Sequence, residues 1–189
     1  QLLPGLVHIS GMGEVSPGEL MLSTNLGTYS YNLAGKKLKR VFLNGHNDSV
    51  FINYFFTDSK QNHWICALDG LFRKDKGSGV YIKYDLSKLE GANATSNNVT
   101  RVFESKQNGL WLLTNNGLFL YDYVSDKISR HGHDKKSGDV FMTQDINSFY
   151  EDESGIAWVG TWQGGLSRYT LNDRKIKTFT RNEGLPSMR

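Results

Sequence analysis

Trp64, Trp111 and Trp158 follow one another at a period of 47 residues, and the same grammar surrounds each of them. A fixed period of that length is the signature of a repeat architecture, and it limits the fold before any local propensity is weighed. Ahead of each Trp runs an apolar segment and then a polar turn. These are Ile52 to Phe56 with Asp58 to Asn62, Val99 to Phe103 with Glu104 to Gly109, and Ile146 to Tyr150 with Glu151 to Gly155. After each Trp come a glycine turn and a third strand: Leu71 to Arg73, Leu118 to Tyr121, and Leu166 to Tyr169. A fourth strand closes the unit, Val80 to Tyr84, Lys127 to His131 and Lys175 to Thr180. One earlier copy carries Met21 in the indole position. It runs from Val7-His8-Ile9 through Leu20 to Thr24 and Gly27 to Tyr29, ending at Arg40-Val41-Phe42. The chain therefore holds four copies of one four-strand unit.

A single antiparallel sheet of this size cannot cover both of its own faces. Yet Leu110-Trp111-Leu112-Leu113 and Ile156-Ala157-Trp158-Val159 are apolar at consecutive positions, and strand side chains alternate between faces. Both faces need cover. Radial stacking of small sheets supplies it, with Trp as the spacer between them, which predicts an all-β propeller of four consecutive four-stranded blades. The blades read as 7–45, 46–92, 93–139 and 140–180, all in one domain, with 1–6 as the tail of a preceding blade and 181–189 as the lead-in to another. The chain thus reads as a section of a larger ring, or as one whose end blades a second copy covers. The turns agree with strands: Asp69-Gly70 and Asn116-Gly117 are favoured pairs of two-residue type I′ hairpins, where both residues take positive φ. Leu26-Gly27 and Gln163-Gly164-Gly165 fill the same slot.

Composition narrows the function. The formal charge of +3 comes from 22 basic and 19 acidic residues scattered along the chain, with no basic stripe of the kind nucleic acid requires. The one basic run, Lys36 to Arg40, reads as a solvated strand edge. Cys66 is the only cysteine, so no internal disulfide forms, and its apolar neighbours make it a small buried hydrophobe. No apolar stretch is long enough to span a membrane as a helix. A phosphate-binding reading of Gly164-Gly165 fails because strand residues, not a helix N-terminus, follow. No cofactor is expected.

The last copy is specific enough to carry a family resemblance. Ile146 to Thr161, with an acidic strand end, the Gly155 turn and Trp158-Val159-Gly160-Thr161, continues into Gly164-Gly165-Leu166-Ser167-Arg168-Tyr169. This resembles the two-component regulator propeller repeat, as do Phe179 and the Glu183-Gly184-Leu185-Pro186-Ser187 lead-in. The third copy matches with Leu112-Leu113-Thr114, the second departs at Cys66-Ala67, and the first lacks the Trp. The resemblance implies a seven-bladed propeller in the periplasmic sensor region of a bacterial hybrid histidine kinase, responding to carbohydrate. It implies no catalysis by this segment, which carries no kinase motif.

In a propeller the second-to-third turns and the blade-to-blade loops share one face, the usual binding surface. Candidate ligand-binding residues there are Trp162, Gln163, Asn115, Asn116 and Asp69, with Asn25 in the same set of turns. An indole beside an amide suits a sugar ring and its hydroxyls; alternatively Trp162 folds back onto a neighbouring blade. At the second position of the first strands stand His8, Asn53, Thr100 and Asn147, which either line the mouth or bond to the adjacent blade's backbone. The loops Ser87 to Asn98 and His131 to Asp145 exceed the repeat. His131-Gly132-His133-Asp134 lacks a third metal ligand at a recognisable spacing and reads as solvated histidines, so no metal is expected. Glu151-Asp152-Glu153 falls in a turn on the opposite face and reads as solvated. The sequons at Asn47, Asn93 and Asn98 matter only in a secreted eukaryotic protein. The partners expected are a small molecule, an oligosaccharide in the first instance, and the remaining blades or another copy of the chain. Nucleic acid and membrane insertion are not expected. Two alternatives stand beside the sensor: a section of a glycan-cleaving hydrolase or lyase, and a purely structural protein-interaction propeller. The enzyme needs non-repeating carboxylates on the binding face, where Asn, Thr, Ser and apolar residues stand instead.

Overall fold

A computed structural model describes residues 8–44, 51–107, 109–134 and 138–186. The proposed tail 1–6, the Asn47 sequon and the final residues 187–189 lie outside them. Four four-stranded antiparallel sheets follow one another in chain order, each a meander of neighbouring strands. The first contains β1 (Ile9–Ser16), β2 (Glu19–Thr24), β3 (Gly27–Asn32) and β4 (Lys37–Val41). The second contains β5 (Ile52–Thr57), β6 (His63–Ala67), β7 (Gly70–Lys74) and β8 (Tyr81–Tyr84). The third contains β9 (Val99–Ser105), β10 (Gly109–Thr114), β11 (Gly117–Asp122) and β12 (Lys127–His131). A two-stranded insertion follows, β13 (His133–Asp134) and β14 (Asp139–Val140), where the sequence offered only a long loop. The fourth sheet contains β15 (Ile146–Glu151), β16 (Ile156–Thr161), β17 (Gly165–Thr170) and β18 (Ile176–Phe179). The chain is thus an all-β run of propeller blades.

By contacts it divides into two compact units, 1–85 with 97–101, and 86–96 with 102–189. In the first unit, β1 lies against β5, and glycine permits the approach. A Cβ on Gly11 would sit 2.9 Å from the Ile52 carbonyl, and one on Gly13 would sit 2.9 Å from the Phe55 Cβ. Val15, Met21, Ile52, Phe55, Ile65 and Phe72 form this unit's core. In the second unit the core is Trp111, Leu113, Leu118, Phe141, Ile146, Val159 and Tyr169. All six residues of β10 are buried, as the consecutive apolar run requires.

The hairpin turns correct one expectation. Thr114 pairs with Gly117 and Ala67 with Gly70, so the turns proper are Asn115-Asn116 and Leu68-Asp69. Among the described non-glycine residues only Lys36, Gln61, Asp126, Gln163 and Arg174 have positive φ. Positive φ therefore falls on the glycine after the turn, at 118° in Gly117 and 151° in Gly70. These are not type I′ turns. They are two-residue turns closed by a glycine at the bulge position, and the Thr114 hydroxyl holds one by accepting from Asn116 N–H and donating to the Gly117 carbonyl. The fourth sheet's turn is one residue longer, because Thr161 pairs with Gly165, and Gln163 takes φ 61°.

Candidate functional site

The seats of the tryptophans come first, because they fix the blades that display the loops. Trp64 is fully buried, and its indole N–H donates to Asp58 Oδ2 at 2.8 Å from the turn just before β6. Asp58 also accepts from Lys60 N–H, Asn62 N–H and the Asn62 amide. Trp158 repeats this with Asp152 at 3.1 Å. Hydrogen bonds from the Ile156 backbone, then from the Trp158 indole, hold the Asp152 carboxyl below the usual range. In the third sheet Ser105 occupies the aspartate's place, and Trp111 donates instead to Glu151 Oε2 at 3.2 Å, from the following sheet. The same carboxylate accepts from Ser105 Oγ and Lys106 N–H. Glu151 is therefore a buried clasp between sheets, which corrects its reading as a solvated turn residue.

His131 is corrected too. It is buried, its Nδ1 lies 2.8 Å from the Tyr169 hydroxyl, and its Nε2 lies 3.0 Å from Ser129 Oγ. Its ring meets Trp111 edge-on at 5.4 Å. Burial, with a smaller contribution from Arg174, lowers its pKa to about 4. It is a neutral core histidine and not a solvated one. His133 is half-buried in β13. Among the described residues no three His, Cys, Asp or Glu side chains gather as a metal site.

In the first, second and fourth sheets the second-to-third turn is tied to the loop that precedes its own first strand. Asn25 N–H donates to the His8 carbonyl, Leu68 N–H to Phe51 and Trp162 N–H to Asp145. These ties put the turns and the blade-to-blade loops together at one edge in each unit. Of the candidate residues, Asp69 and Asn53 belong to the first unit, and Asn115, Asn116, Asn147, Trp162 and Gln163 to the second. Asp69 pairs with Lys83 at 3.1 Å. Asn53 donates to Asn98 Oδ1 and to the Val99 carbonyl at 2.8 Å, the backbone role that the sequence offered as one of its two readings. Asn116 donates to Ser96 Oγ and accepts from Arg130 Nη2 at its backbone carbonyl. Asn115, Asn147, Trp162 and Gln163 are exposed, Trp162 to 58%.

Trp162 has a fixed backbone beneath a free ring. Its carbonyl accepts from Thr143 Oγ1 at 3.0 Å, completing the clasp that its N–H makes with Asp145. The indole therefore stands out from a positioned turn and does not fold back. Met142, 65% exposed, belongs to the same corner, since a Cβ on Gly164 would lie 3.3 Å from the Met142 Cβ. The sequence signal for Met142 was an apolar residue in a loop otherwise polar at its tip. The first strands hold a second correction. Register breaks fall between Ile9 and Gly11, Ile52 and Tyr54, and Ile146 and Ser148, so bulges place Ser10, Asn53 and Asn147 in equivalent positions. Ser10, not His8, is the first copy's member of that set, and its Oγ lies 2.8 Å from Ser23 Oγ.

Stacked four-strand meanders with a shared loop edge define a β-propeller segment. Residues 141–163 match the two component regulator propeller family. A comparison with curated proteins found no match. Among solved structures, the extracellular domain of a hybrid two-component system from B. thetaiotaomicron is 24% identical with a TM-score of 0.70, and the alignment covers 98% of this chain and 24% of that one. The extracellular domain of a one-component system from the same organism is 20% identical with a TM-score of 0.69, over 90% of this chain and 22% of that one. PorZ, a surface component of the type-IX secretion system of Porphyromonas gingivalis, is 12% identical with a TM-score of 0.72, over 96% and 28%. The chain thus spans about a quarter of the length of the extracellular domains it is similar to. Among the described residues no helix is long and apolar enough to cross a membrane.

Proposed function

We propose that this chain is a non-catalytic section of the periplasmic sensor propeller of a hybrid two-component system, and that its loop edge recognises a carbohydrate. The observation that carries the reading is Trp162: an exposed indole on a backbone clamped from both sides, next to the Gln163 amide. A flat apolar ring stacks on the C–H face of a sugar, while neighbouring amides bond its hydroxyls. Gln163, Asn115 and Asn147 supply such groups in the same unit, whereas Asn53, Asn116 and Asp69 serve the scaffold. Two features support the non-catalytic part of the reading. Glu151 and Asp152 spend their oxygens on indoles and backbone amides, and His131 is enclosed in the core. The neighbouring sensor domains and the matched family support the location and the signalling role.

The test is a panel of defined oligosaccharides titrated against the protein by calorimetry and by tryptophan fluorescence. Trp64 and Trp111 are fully buried and Trp158 is half-buried, so the part of any ligand-induced quenching change that Trp162→Ala removes belongs to Trp162. A saccharide that binds should lose about tenfold or more in affinity on Trp162→Ala, roughly the 1.4 kcal/mol expected of one aromatic contact. Thermal unfolding should stay where it was. Unaltered affinity in the variant removes Trp162 from the site.

A further inference from the structure

In the second unit the Trp111 indole fills the space between the third and fourth sheets, ringed by His131, Phe149 and Tyr169 at 5.4, 5.5 and 6.3 Å. Strand register carries this seat over to the first unit. Met21 faces Ser30 as Trp111 faces Leu120, so Met21 stands in the place of the indole. By the same registers Val41 stands for His131, Phe55 for Phe149 and Lys74 for Tyr169. A narrow, unbranched thioether now occupies a place shaped elsewhere for a fused ring. A surface cleft of about 570 Å³ opens there, and Met21, Val41 and Lys74 all line it. Its volume lies within the range of small-molecule sites.

The walls say what fits. Val15, Leu43 and Tyr81 join Met21 and Val41 as an apolar floor, a surface that rewards a flat ring. At the rim stand Lys39, Arg40 and Lys74 against one acid, Glu19, an excess of positive charge. His63 on the wall adds little to it, because burial and then the Lys74 charge hold its pKa below the usual imidazole value. The carboxylate that meets the Trp111 indole has no counterpart. Thr57 stands in the place of Glu151, and its hydroxyl donates to the Val15 carbonyl at 2.9 Å. Beside the Trp111 seat, this one is filled by a smaller side chain, with Met21 2% exposed at the base of the cleft, loses the acceptor for an indole N–H, and gains cations at its rim.

We propose that this cleft binds a small molecule with a planar ring of about indole size and an anionic substituent, the ring lying over Met21 and the anion facing Lys39 and Lys74. Such a site is separate from the Trp162 edge, and it gives the propeller a second chemical input.

The experiment titrates the protein with indole-3-acetate, with neutral indole as the comparison, by saturation-transfer NMR and calorimetry. Saturable binding of indole-3-acetate is expected, at least tenfold tighter than that of indole. Met21→Trp, which puts the protein's own ring into the cleft, should abolish binding and leave the unfolding temperature unchanged or raised. Lys74→Met should weaken indole-3-acetate about tenfold with no effect on indole, and it tests the site even where the Trp variant folds poorly. Trp162→Ala should change neither ligand, which keeps this result distinct from the carbohydrate reading. Absence of saturable binding, equal affinity for the two probes, or full binding by a folded Met21→Trp protein each overturns the proposal.

Discussion

Trp64 and Trp111 occupy the same place in successive repeats, are equally buried, and each gives its indole proton to a carboxylate, yet the carboxylates come from different sheets. Asp58 sits six residues before its own tryptophan, so the second repeat satisfies its indole by itself. The third repeat has Ser105 in that place and borrows Glu151 from the fourth. A buried N–H must find an acceptor somewhere, and losing it costs about 1–3 kcal/mol, so the replacement of one residue transfers the requirement to a neighbour. The lesson is that repeats need not each be complete. A gap in one is filled across the interface, and the filling ties two sheets together. The fourth repeat, with Trp158 on Asp152, returns to the self-contained form.

That contrast can be broken by substitution. The largest effect is expected from Asp58→Ala, which removes the acceptor for an indole, two backbone amides and a side-chain amide together. A loss of about 3 kcal/mol in urea unfolding follows from hydrogen bonds to a buried charged group. Glu151→Ala comes next, at about 2 kcal/mol, since its three partners include one at the exposed edge of the turn. Its signature is rescue. Ser105→Asp restores the in-repeat carboxylate and should recover most of that loss in the Glu151→Ala background, whereas no single residue recovers Asp58→Ala. Failure of the rescue would mean that Glu151 acts other than as a substitute for the missing aspartate.

A smaller effect separates the two seats by pH. His131 touches the Trp111 indole, while Tyr84 and Arg73 are among the ring neighbours of Trp64. A histidine with its folded pKa depressed to about 4 from an ordinary 6.5 favours the native state while neutral. The unfolded state takes up the proton first as pH falls. This contribution is therefore complete above about pH 6.5 and is lost progressively on descent towards pH 4. His131→Gln should flatten the stability profile across that window, measured by urea midpoints at several pH values. An unchanged slope would show that His131 protonates without penalty.

The repeat period, the strand order and the indole seats were legible because a tryptophan recurs at an interval of 47 residues in three of the four sheets. What escaped was every feature in which a repeat departs from its own pattern. Taking Val7 as the start of the first copy puts His8 in that position, whereas counting back from Met21 gives Ser10, at the spacing of Asn53 from Trp64 and Asn147 from Trp158. Glu151 looked like part of a charged turn because its partner, Trp111, is distant in sequence. His131 looked solvated because the chain beyond it, where Tyr169 closes over the ring and Phe141 packs on Tyr169, reads locally as loop and strand. The type I′ reading of the glycine turns failed for a local reason: the dipeptide was recognised, but the pairing moved the turn one residue towards the N-terminus. On the loop edge, Trp162 stood out in the sequence. The engagement of Asn53, Asn116 and Asp69 did not, because an amide or carboxylate looks the same whether it faces ligand or scaffold. The cleft beside Met21 was visible only as a missing tryptophan.

The central claim is that the third and fourth sheets are joined through the Trp111 indole. A double-mutant cycle between Trp111→Phe, which keeps an aromatic ring and removes the N–H, and Glu151→Ala, which removes the acceptor, measures it directly. A coupling energy of about 1–2 kcal/mol in urea unfolding is predicted for a buried hydrogen bond to a charged acceptor. Additive effects, with no coupling beyond experimental error, would contradict it.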